Sequence, residues 1–221
     1  MGKRFTACIC LLFFIAPGLN AQNLNAENPF RMSVRFAGTV PHPVSNKAFR
    51  RSFTGIYDIG ASLNFQVFRG ILVGIQYQHN LWKIPDNKIP GLKTYGQSHH
   101  GGIRVGYDYV INSIAVGYAG VSMLSGRMKF YGISYTPDTT RPPLETSFNY
   151  RMIQLEAGVY FYTEGNFAIG VHAAGSFTSF AFDPYKLYLD QHEPYLPADL
   201  DGNVSYFNIG FSLVYSFLRK G

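Results

Sequence analysis

Residues 57–82 read YDIGASLNFQVFRGILVGIQYQHNLW, with apolar residues at every second position on both sides of a short break at Arg69-Gly70. In the first half the apolar positions run from Tyr57 to Val67, with polar or small residues between them. A period of two places successive side chains on opposite faces of a β-strand. The stretch therefore predicts a β-hairpin with one apolar face, one polar face and a tight turn at Arg69-Gly70.

The same alternation recurs along the chain and predicts eight strands. Their connections alternate between tight turns and long loops, as in antiparallel barrels that have short turns at one end and longer loops at the other. The strands are predicted at about 30–40, 54–68, 71–82, 99–111, 114–125, 148–162, 167–180 and 204–217, with long loops at 41–53, 83–98, 126–147 and 181–203. In the fifth strand the alternation changes phase in its outer half, which we interpret as a β-bulge.

The apolar stripes contain no charged residue in their central parts. A Lys or Arg at the bilayer midplane costs about 2–4 kcal/mol, whereas a soluble β-sandwich or lipocalin-like barrel carries charges on its solvent face. Aromatic residues gather near the turn ends, as in an interfacial girdle: Phe65, Phe68, Tyr107, Tyr109, Phe161, Tyr162, Phe167, Tyr215 and Phe217. The pattern predicts an all-β, eight-stranded antiparallel transmembrane up-and-down β-barrel.

The N-terminus predicts export. Lys3 and Arg4 precede an apolar run of about a dozen residues, too short to span a bilayer as a helix, and small residues follow it up to Ala21. We expect a signal peptide over residues 1–21 and a barrel domain over residues 22–221. Cys8 and Cys10 both lie in the signal, without an apolar run before them long enough for lipoprotein processing, so the mature chain has no cysteine.

Charged residues make up only 14% of the chain, and the net charge is +6, or +4 without Lys3 and Arg4. The basic residues are dispersed, which argues against nucleic acid as a partner. We expect no cofactor, because no motif in the mature chain is built to hold one.

The polar stripes place several ionisable residues inside the barrel. Counted from the turn side, Arg35, Gln76, Arg104, Glu156 and His172 come to a similar height. Buried charges must be paired, so we expect Glu156 to bridge Arg35 or Arg104, and Arg31 to pair with Asp108 nearer the turns. Two interpretations are open: a packed polar plug that closes the lumen, and a narrow charge-lined pore.

Other residues were weighed as sites. His42, His99, His100 and His192 could hold a surface metal ion, and residues 199–203, DLDGN, resemble the start of a calcium loop without the remaining ligands. Solvated loop histidines and a turn before the eighth strand explain these features better. Ser98 and His99 are adjacent and so point to opposite faces of a strand, which makes them a poor nucleophile–base pair. We predict no catalytic and no metal-binding residues.

The long loops carry opposite charges. The first two are basic through residues such as Lys47, Lys88 and Lys93, and the fourth is acidic and rich in aromatic residues. The loops could pack on each other as a cap, or form a surface that binds a protein, a glycan or lipopolysaccharide phosphate. The candidate loop binding residues are Lys47, Arg50, Arg51, Tyr185, Tyr188 and Tyr195.

Taken together, the eight alternating strands, the turns at Arg69-Gly70, Asn112-Ser113 and Glu164-Gly165-Asn166, and the aromatic-ended last strand Phe207 to Phe217 make the chain resemble the small OmpA/OmpX-type barrels of Gram-negative bacteria. The resemblance implies an outer-membrane location with periplasmic termini. It also implies contact with outer-membrane lipid and lipopolysaccharide, and with periplasmic chaperones and the barrel-assembly machinery during biogenesis.

For function we expect a non-enzymatic outer-membrane barrel with a structural role in the envelope or a surface-binding role through its loops, its extracellular ligand unknown. The alternatives are a lipid A-modifying enzyme, which needs a nucleophile and base at the outer rim, and a narrow pore, which needs a lumen free of the charge cluster.

Overall fold

A computed structural model describes residues 32–112, 114–136, 140, 143–163 and 166–217. Eight strands close into one antiparallel barrel in chain order, so the predicted fold class is confirmed. The strands are β1 (Met32–Pro43), β2 (Thr54–Phe68), β3 (Ile71–Lys83), β4 (Tyr95–Val110), β5 (Ala115–Tyr131), β6 (Ser147–Tyr162), β7 (Phe167–Thr178) and β8 (Ser205–Phe217).

Each strand pairs with its sequence neighbours, and β1 pairs with β8 to close the barrel, from Met32 opposite Phe217 to Pro43 opposite Tyr206. The β2–β3 turn is the predicted one at Arg69-Gly70. Gly70 has φ +86°, a left-handed conformation that glycine adopts without steric cost. Closure leaves the barrel without a free sheet edge.

The predicted alternation is confirmed by burial. Apolar side chains of the odd-numbered stripe of β8 face outward, with Phe211 69% exposed, whereas Asn208 and Ser212 between them point into the lumen and are buried. The same arrangement holds for β2, where Ile59 and Phe65 face outward and Asp58 and Asn64 inward. The barrel therefore has an apolar outer belt and a polar interior, which is the reverse of a soluble protein.

Two expectations about β4 and β5 are wrong. Both strands are longer than predicted, since β4 starts at Tyr95 rather than His99 and β5 ends at Tyr131 rather than Ser125. β5 has no bulge, because its pairing with β4 and with β6 runs without a register shift. The apparent change of phase arises because β5 directs apolar residues into the lumen at both of its ends.

At the end of the barrel where the tight turns lie, a small apolar cluster closes the lumen. Val116 and Tyr118 of β5 lie in it together with Tyr160 and Tyr162 of β6. Tyr162, predicted as part of the outer aromatic girdle, is thus a buried lumen residue whose hydroxyl lies 3.0 Å from Ser216 Oγ. Phe65, Phe68, Tyr107, Phe161, Phe167 and Tyr215 are exposed on the outside, as predicted.

The described parts of the loops at the other end contain a helix, α1 (Lys47–Ser52), and short 3-10 helices at Pro184–Leu187, Leu189–Gln191 and Pro197–Asp199. Within the described ranges no helix has both the length and the apolar character needed to cross a membrane. The signal peptide over residues 1–21, Arg31, Ser113 and Glu164-Gly165 lie outside the described residues.

Candidate functional site

An ionic layer crosses the middle of the lumen. Glu156 on β6 receives Arg35 from β1, with Nη2 2.9 Å from Oε2, and Arg104 from β4, with Nε 2.6 Å from Oε1. All three side chains are at most 4% exposed. The predicted bridge therefore involves both arginines at once, and it links walls of the barrel that are not neighbours in the sheet.

Neighbouring side chains complete this ionic layer. Arg104 Nη1 donates to Ser62 Oγ at 3.2 Å and to Asn64 Oδ1 at 3.3 Å, and the Arg35 guanidinium lies 4.5 Å from the centre of the Tyr118 ring. The Tyr118 ring stacks on Tyr160 at 4.4 Å. A cation over an aromatic face is attracted by the ring quadrupole, which offsets part of the cost of burying two arginines beside one carboxylate.

Gly120 on β5 makes room for this layer. A Cβ at Gly120 would lie 3.1 Å from Glu156 Oε1 and 3.4 Å from Arg104 Nε. The absence of a side chain at this lumen-facing position lets the carboxylate reach both guanidinium groups.

His172 lies in the lumen on β7, as predicted, and is buried. Among the described residues no hydrogen bond or ion pair joins it to Arg35, Arg104 or Glu156. The structure thus brings together three of the four residues predicted for the lumen cluster and places the fourth beside them. Asp108 faces the lumen nearer the turns, as predicted, whereas its expected partner Arg31 lies outside the described residues.

An amide layer lies directly above the ionic one, toward the loops. Gln154 Oε1 on β6 accepts hydrogen bonds from Gln76 Nε2 at 2.8 Å and Gln78 Nε2 at 3.0 Å, both on β3. Ser122 Oγ donates to Gln76 Oε1 at 2.7 Å, and Gln154 Nε2 donates to Ser176 Oγ at 3.2 Å. These bonds again span the lumen, so a second cross-section is occupied by side chains bonded to each other.

Further polar pairs fill the next level. Asn208 Nδ2 donates to Asp58 Oδ2 at 2.5 Å, Asn80 Nδ2 donates to Tyr206 OH at 3.0 Å, and Tyr150 OH lies 2.6 Å from His100 Nε2. Tyr150 and Tyr206 present their rings to the apolar cluster above and their hydroxyls to the polar side chains below. This level is where the lumen changes from polar to apolar.

A cap of packed loops closes the outer mouth. We use "cap" for α1, loop residues 84–94 and 179–204, and the outer ends of the strands that they cover. Phe49 of α1 and Phe53, which follows the helix, are fully buried. Their rings stack on each other and pack against Phe182, and Phe49 also contacts Trp82, with ring centroids 5.0–5.6 Å apart. Other members of the same cluster are Ile84, Ile89, Leu92, Leu124, Met128, Phe130, Phe180, Leu187, Leu189, Tyr195 and Val204.

Asn46 ties the first loop of the cap to the fourth. Its Oδ1 accepts from Phe49 N at 2.9 Å and so caps the N-terminus of α1. Its Nδ2 donates to the carbonyls of Phe182 at 3.2 Å and Gly202 at 2.9 Å. Asn46 has φ 50°, a left-handed conformation that asparagine tolerates better than most residues.

Charges reinforce the same contact. Asp199 in the fourth loop lies 3.0 Å from Lys47 Nζ and 2.8 Å from Arg51 Nη1, and Arg51 also pairs with Glu193. The Asp199 side chain is 1% exposed. The hydrogen bond from Lys47 and the nearby Arg51 hold the pKa of the Asp199 carboxyl below its ordinary value. The oppositely charged loops thus pack on each other, which is the cap interpretation of the sequence.

The second loop joins the cap through Lys88, a residue that the sequence marked only as part of a basic loop. Its Nζ donates to the Arg50 carbonyl at 2.8 Å and to the Phe53 carbonyl at 2.7 Å, at the C-terminal end of α1. A cation at this end of a helix satisfies free carbonyls and complements the helix dipole. Burial lowers the pKa of the Lys88 ammonium.

The six candidate loop binding residues fall into two groups. Lys47, Arg50 and Tyr185 are exposed, and Arg51 is partly exposed. Tyr188 and Tyr195 are 4% and 5% exposed, and Tyr195 OH lies 2.7 Å from Ser52 Oγ inside the cap. Burial raises the pKa of Tyr195 to about 12. The buried pair belongs to the interior of the cap rather than to its surface.

Ser98 and His99, which were considered for catalysis, lie on opposite faces of β4. His99 faces outward on β4, whereas Ser98 and His100 face inward and are buried. The His99 ring lies 4.4 Å from the ring of His79 and accepts or donates a hydrogen bond to Tyr77 OH at 2.8 Å. His100 is bonded to Tyr150, and no histidine hydrogen-bonds Ser98 Oγ in the described part of the chain.

Several of the residues considered for metal binding have other partners. His192 lies 2.7 Å from the Ser134 carbonyl in the cap, and Asp199 is paired with two cations. Across residues 32–112, 114–136, 140, 143–163 and 166–217, no three His, Cys, Asp or Glu side chains come close enough to share a metal ion.

No family model matches the chain, and a search of curated proteins finds no match. Among solved structures it is similar to Neisserial surface protein A, with 12% identity over 86% of this chain and 98% of that one and a TM-score of 0.50. It also matches Ail of Yersinia pestis in complex with the heparin analogue sucrose octasulfate, with 12% identity over 85% and 99% and a TM-score of 0.47. A third match is the outer membrane protein OprG from Pseudomonas aeruginosa, with 11% identity over 85% and 95% and a TM-score of 0.42. The closed barrel of eight strands and its similarity to Neisserial surface protein A give the chain the fold of the small outer-membrane barrels of the OmpA/OmpX type.

Proposed function

We propose that this protein is a non-enzymatic outer-membrane barrel that does not conduct and that displays a rigid cap of loops at the cell surface. The observation that carries the proposal is the succession of closures along the lumen. Glu156 with its two arginines, Gln154 with its amide partners, and the apolar core of the cap each occupy a cross-section of the barrel. A path for ions or substrates would have to break all three.

The outer belt supports placement in a membrane. Side chains such as Phe36, Ile75 and Met123 face outward with 57–62% exposure and continue each other from strand to strand. Contiguous apolar surface of this kind is unstable in water and stable in lipid. With the long loops outside, the turns and both termini lie in the periplasm, and export depends on the signal over residues 1–21.

The exposed side of the cap supports a binding or structural role. Arg50 and Lys47 project from α1, and Tyr185 and Leu196 are 44% and 64% exposed on the fourth loop. Aromatic residues and arginine are the types enriched where proteins contact partners. Because the cap is tied by Asn46, Asp199 and Lys88, these residues keep fixed positions and a ligand meets a preformed surface.

The test combines heat-modifiability with single-channel conductance on one refolded sample of the mature chain. The expected result is a faster-migrating unboiled band without conductance steps in planar bilayers. Stable conductance would overturn the closed-lumen proposal while leaving the barrel in place. A protein that stays in the soluble periplasmic fraction without a heat shift would overturn the membrane placement itself. On intact cells, protease added outside should reach the cap and not the turns.

A further inference from the structure

The outward stripes of β5 and β6 change character abruptly near the cap. On β5 the stripe runs Val121, Met123, Ser125, Arg127, Lys129 toward the cap, and on β6 it runs Leu155, Ile153, Arg151, Asn149. The apolar residues lie where lipid chains would contact the barrel. The cations follow one or two positions further along the same face, at the height where lipid head groups begin.

Arg127, Lys129 and Arg151 form one cluster, which we call the flank patch. Arg127 is paired across the sheet with Asn149, and Arg151 with Ser125, so the two arginines lie on adjacent strands one outward position apart. All three are exposed. Among the described residues no carboxylate lies within ion-pair distance of any of them, unlike the cap cations Lys47 and Arg51.

The patch is confined to one side of the barrel. The outward-facing Lys and Arg of the described strands near the cap are Lys83 on β3 and the three residues of the flank patch on β5 and β6. The corresponding ends of β8 and β1 carry Phe207, Val40 and His42 instead. A general attraction to head groups would be met by cations all around the barrel, so their concentration on one flank indicates a localised ligand.

Arg127 and Arg151 of the flank patch border an open depression in the surface. Its lining residues are Ser125, Gly126, Arg127, Asn149, Tyr150, Arg151 and Ser179. Asn149 Oδ1 accepts a hydrogen bond from Arg127 Nε at 2.9 Å, which orients the guanidinium group. This bond does not use the two terminal nitrogens of Arg127. Ser179 Oγ accepts from the Arg151 backbone N–H at 2.9 Å and lines the same depression.

We propose that the flank patch binds the phosphate groups of a lipid in the outer leaflet, with the acyl chains of that lipid lying along the apolar stripes of β5 and β6. Guanidinium groups bind phosphate through two parallel hydrogen bonds, and a lysine beside them adds a point charge. A lipid that carries two phosphates, or a phosphate and a second anionic group, best matches a cluster of three cations. This inference rests on the membrane placement proposed above.

The experiment is a binding titration of the full mature barrel, refolded in a zwitterionic detergent and followed by native mass spectrometry. The probe is lipid A with two phosphates, and the matched ligand is the same lipid with its phosphates removed. Arg127→Gln/Arg151→Gln is compared with wild type and with Arg69→Gln/Lys93→Gln. The control pair has the same change in charge, and Arg69 lies at the turn end and Lys93 in the second loop. Heat-modifiability of each variant reports the barrel separately.

Each cation near a charged lipid surface contributes on the order of a few-fold in affinity, so the flank variant should bind the bisphosphorylated lipid about 10- to 30-fold more weakly. The control variant should bind as wild type does. Equal binding of lipid A by the flank variant and by wild type would overturn the proposal. It would also be overturned if wild type bound the dephosphorylated lipid as tightly as the bisphosphorylated one, because binding would then depend on the acyl chains alone. Full competition by millimolar inorganic phosphate would assign the patch to free phosphate and overturn its assignment to a lipid.

Discussion

The middle of the lumen and the cap above it are both filled by buried side chains, but the side chains are of different kinds. In the lumen, a few charged and amide groups from β1, β3, β4 and β6 reach across the barrel and pair with one another. In the cap, aromatic side chains from the loops pack into an apolar core, and charged groups tie its rim. The lumen is held by polar pairs and the cap by packing, so removing one partner and removing one ring should have distinct consequences.

The largest expected effect is in the ionic layer. Glu156→Ala leaves Arg35 and Arg104 buried without a counter-charge, and breaking a buried pair in this way costs about 3–5 kcal/mol. The midpoint of urea unfolding, followed by the loss of the heat-modifiable band, should fall accordingly.

A matched apolar variant sharpens this prediction. Arg35→Met/Arg104→Met/Glu156→Leu removes all three charges together, and replacing a buried ionic group with apolar residues is often near neutral. We expect its unfolding midpoint to lie close to that of wild type. If the triple variant is as unstable as Glu156→Ala, the lumen is stabilised by shape rather than by pairing.

The next effect is in the apolar core of the cap. Phe49→Ala removes a fully buried ring that contacts Phe53, Trp82 and Phe182, at a cost of about 3–4 kcal/mol. Because this core is built from loops, we expect faster protease cleavage in the cap while the heat-modifiable band is retained. Tyr185→Ala, an exposed aromatic on the same cap, is the control and should leave cleavage unchanged. A loss of the barrel band with Phe49→Ala would show that cap and lumen unfold together.

A smaller effect is expected at the tie between the first and fourth loops. Asn46→Ala removes the cap of α1 and the bonds to Phe182 and Gly202, and places alanine at a positive φ, costing about 1–2 kcal/mol. Asn46→Gly also removes the bonds but accepts the backbone conformation, so it should cost less. Protease sensitivity of the cap should rank wild type, then glycine, then alanine. Equal sensitivity of all three would mean that packing alone holds the loops.

The cap should also weaken in acid. Asp199 has a folded-state pKa held below the ordinary carboxyl value by Lys47 and Arg51, so its contribution is complete above that ordinary value, near pH 4. The contribution is lost as the pH falls through the lower folded-state pKa. Pepsin cleavage of the cap between pH 5 and pH 2 measures this, and the comparison is Asp199→Asn. The wild-type cap should become more sensitive over this range, and the variant should show less change. Parallel curves would exclude Asp199 as the acid-sensitive tie.

The smallest effect is expected at the rim. Lys186 and Glu145 form an ion pair at 2.8 Å, but both side chains are about half exposed, and such surface pairs contribute about 0–1 kcal/mol. Lys186→Ala should leave both protease sensitivity and the heat-modifiable band almost unchanged. A clear loss would mean that the third and fourth loops depend on this contact as the first and fourth depend on Asp199.

The comparison also shows which parts of the molecule could be predicted from the sequence. The strands and the partners of Glu156 were predictable, because alternation fixes which side chains face inward and position along the strand gives their height. The direction of the side chains of β5 could not be predicted in this way. Val116 and Tyr118 fill the turn end of the lumen, and Leu124 and Met128 join the cap. Apolar residues of β5 therefore point inward at both of its ends.

The cap was predictable only as an attraction between basic and acidic loops. Its ties join residues far apart in the chain, such as Asn46 to Gly202 and Lys88 to Phe53, and no local pattern marks them. The burial of Tyr188 and Tyr195 follows from those ties. The predicted chaperones, assembly machinery and extracellular ligand stay predictions.

The pairing of β1 with β8 has a consequence for the order of events during folding. Arg104 and Glu156 lie on β4 and β6, which successive hairpins bring together, whereas Arg35 lies on β1, which pairs with the last strand of the chain. Contacts between distant parts of a chain form slowly because loop closure must come first. We therefore expect the final seam and the complete ionic layer to arise in one late step, so that until then an unfinished sheet holds a carboxylate with only one of its two cations.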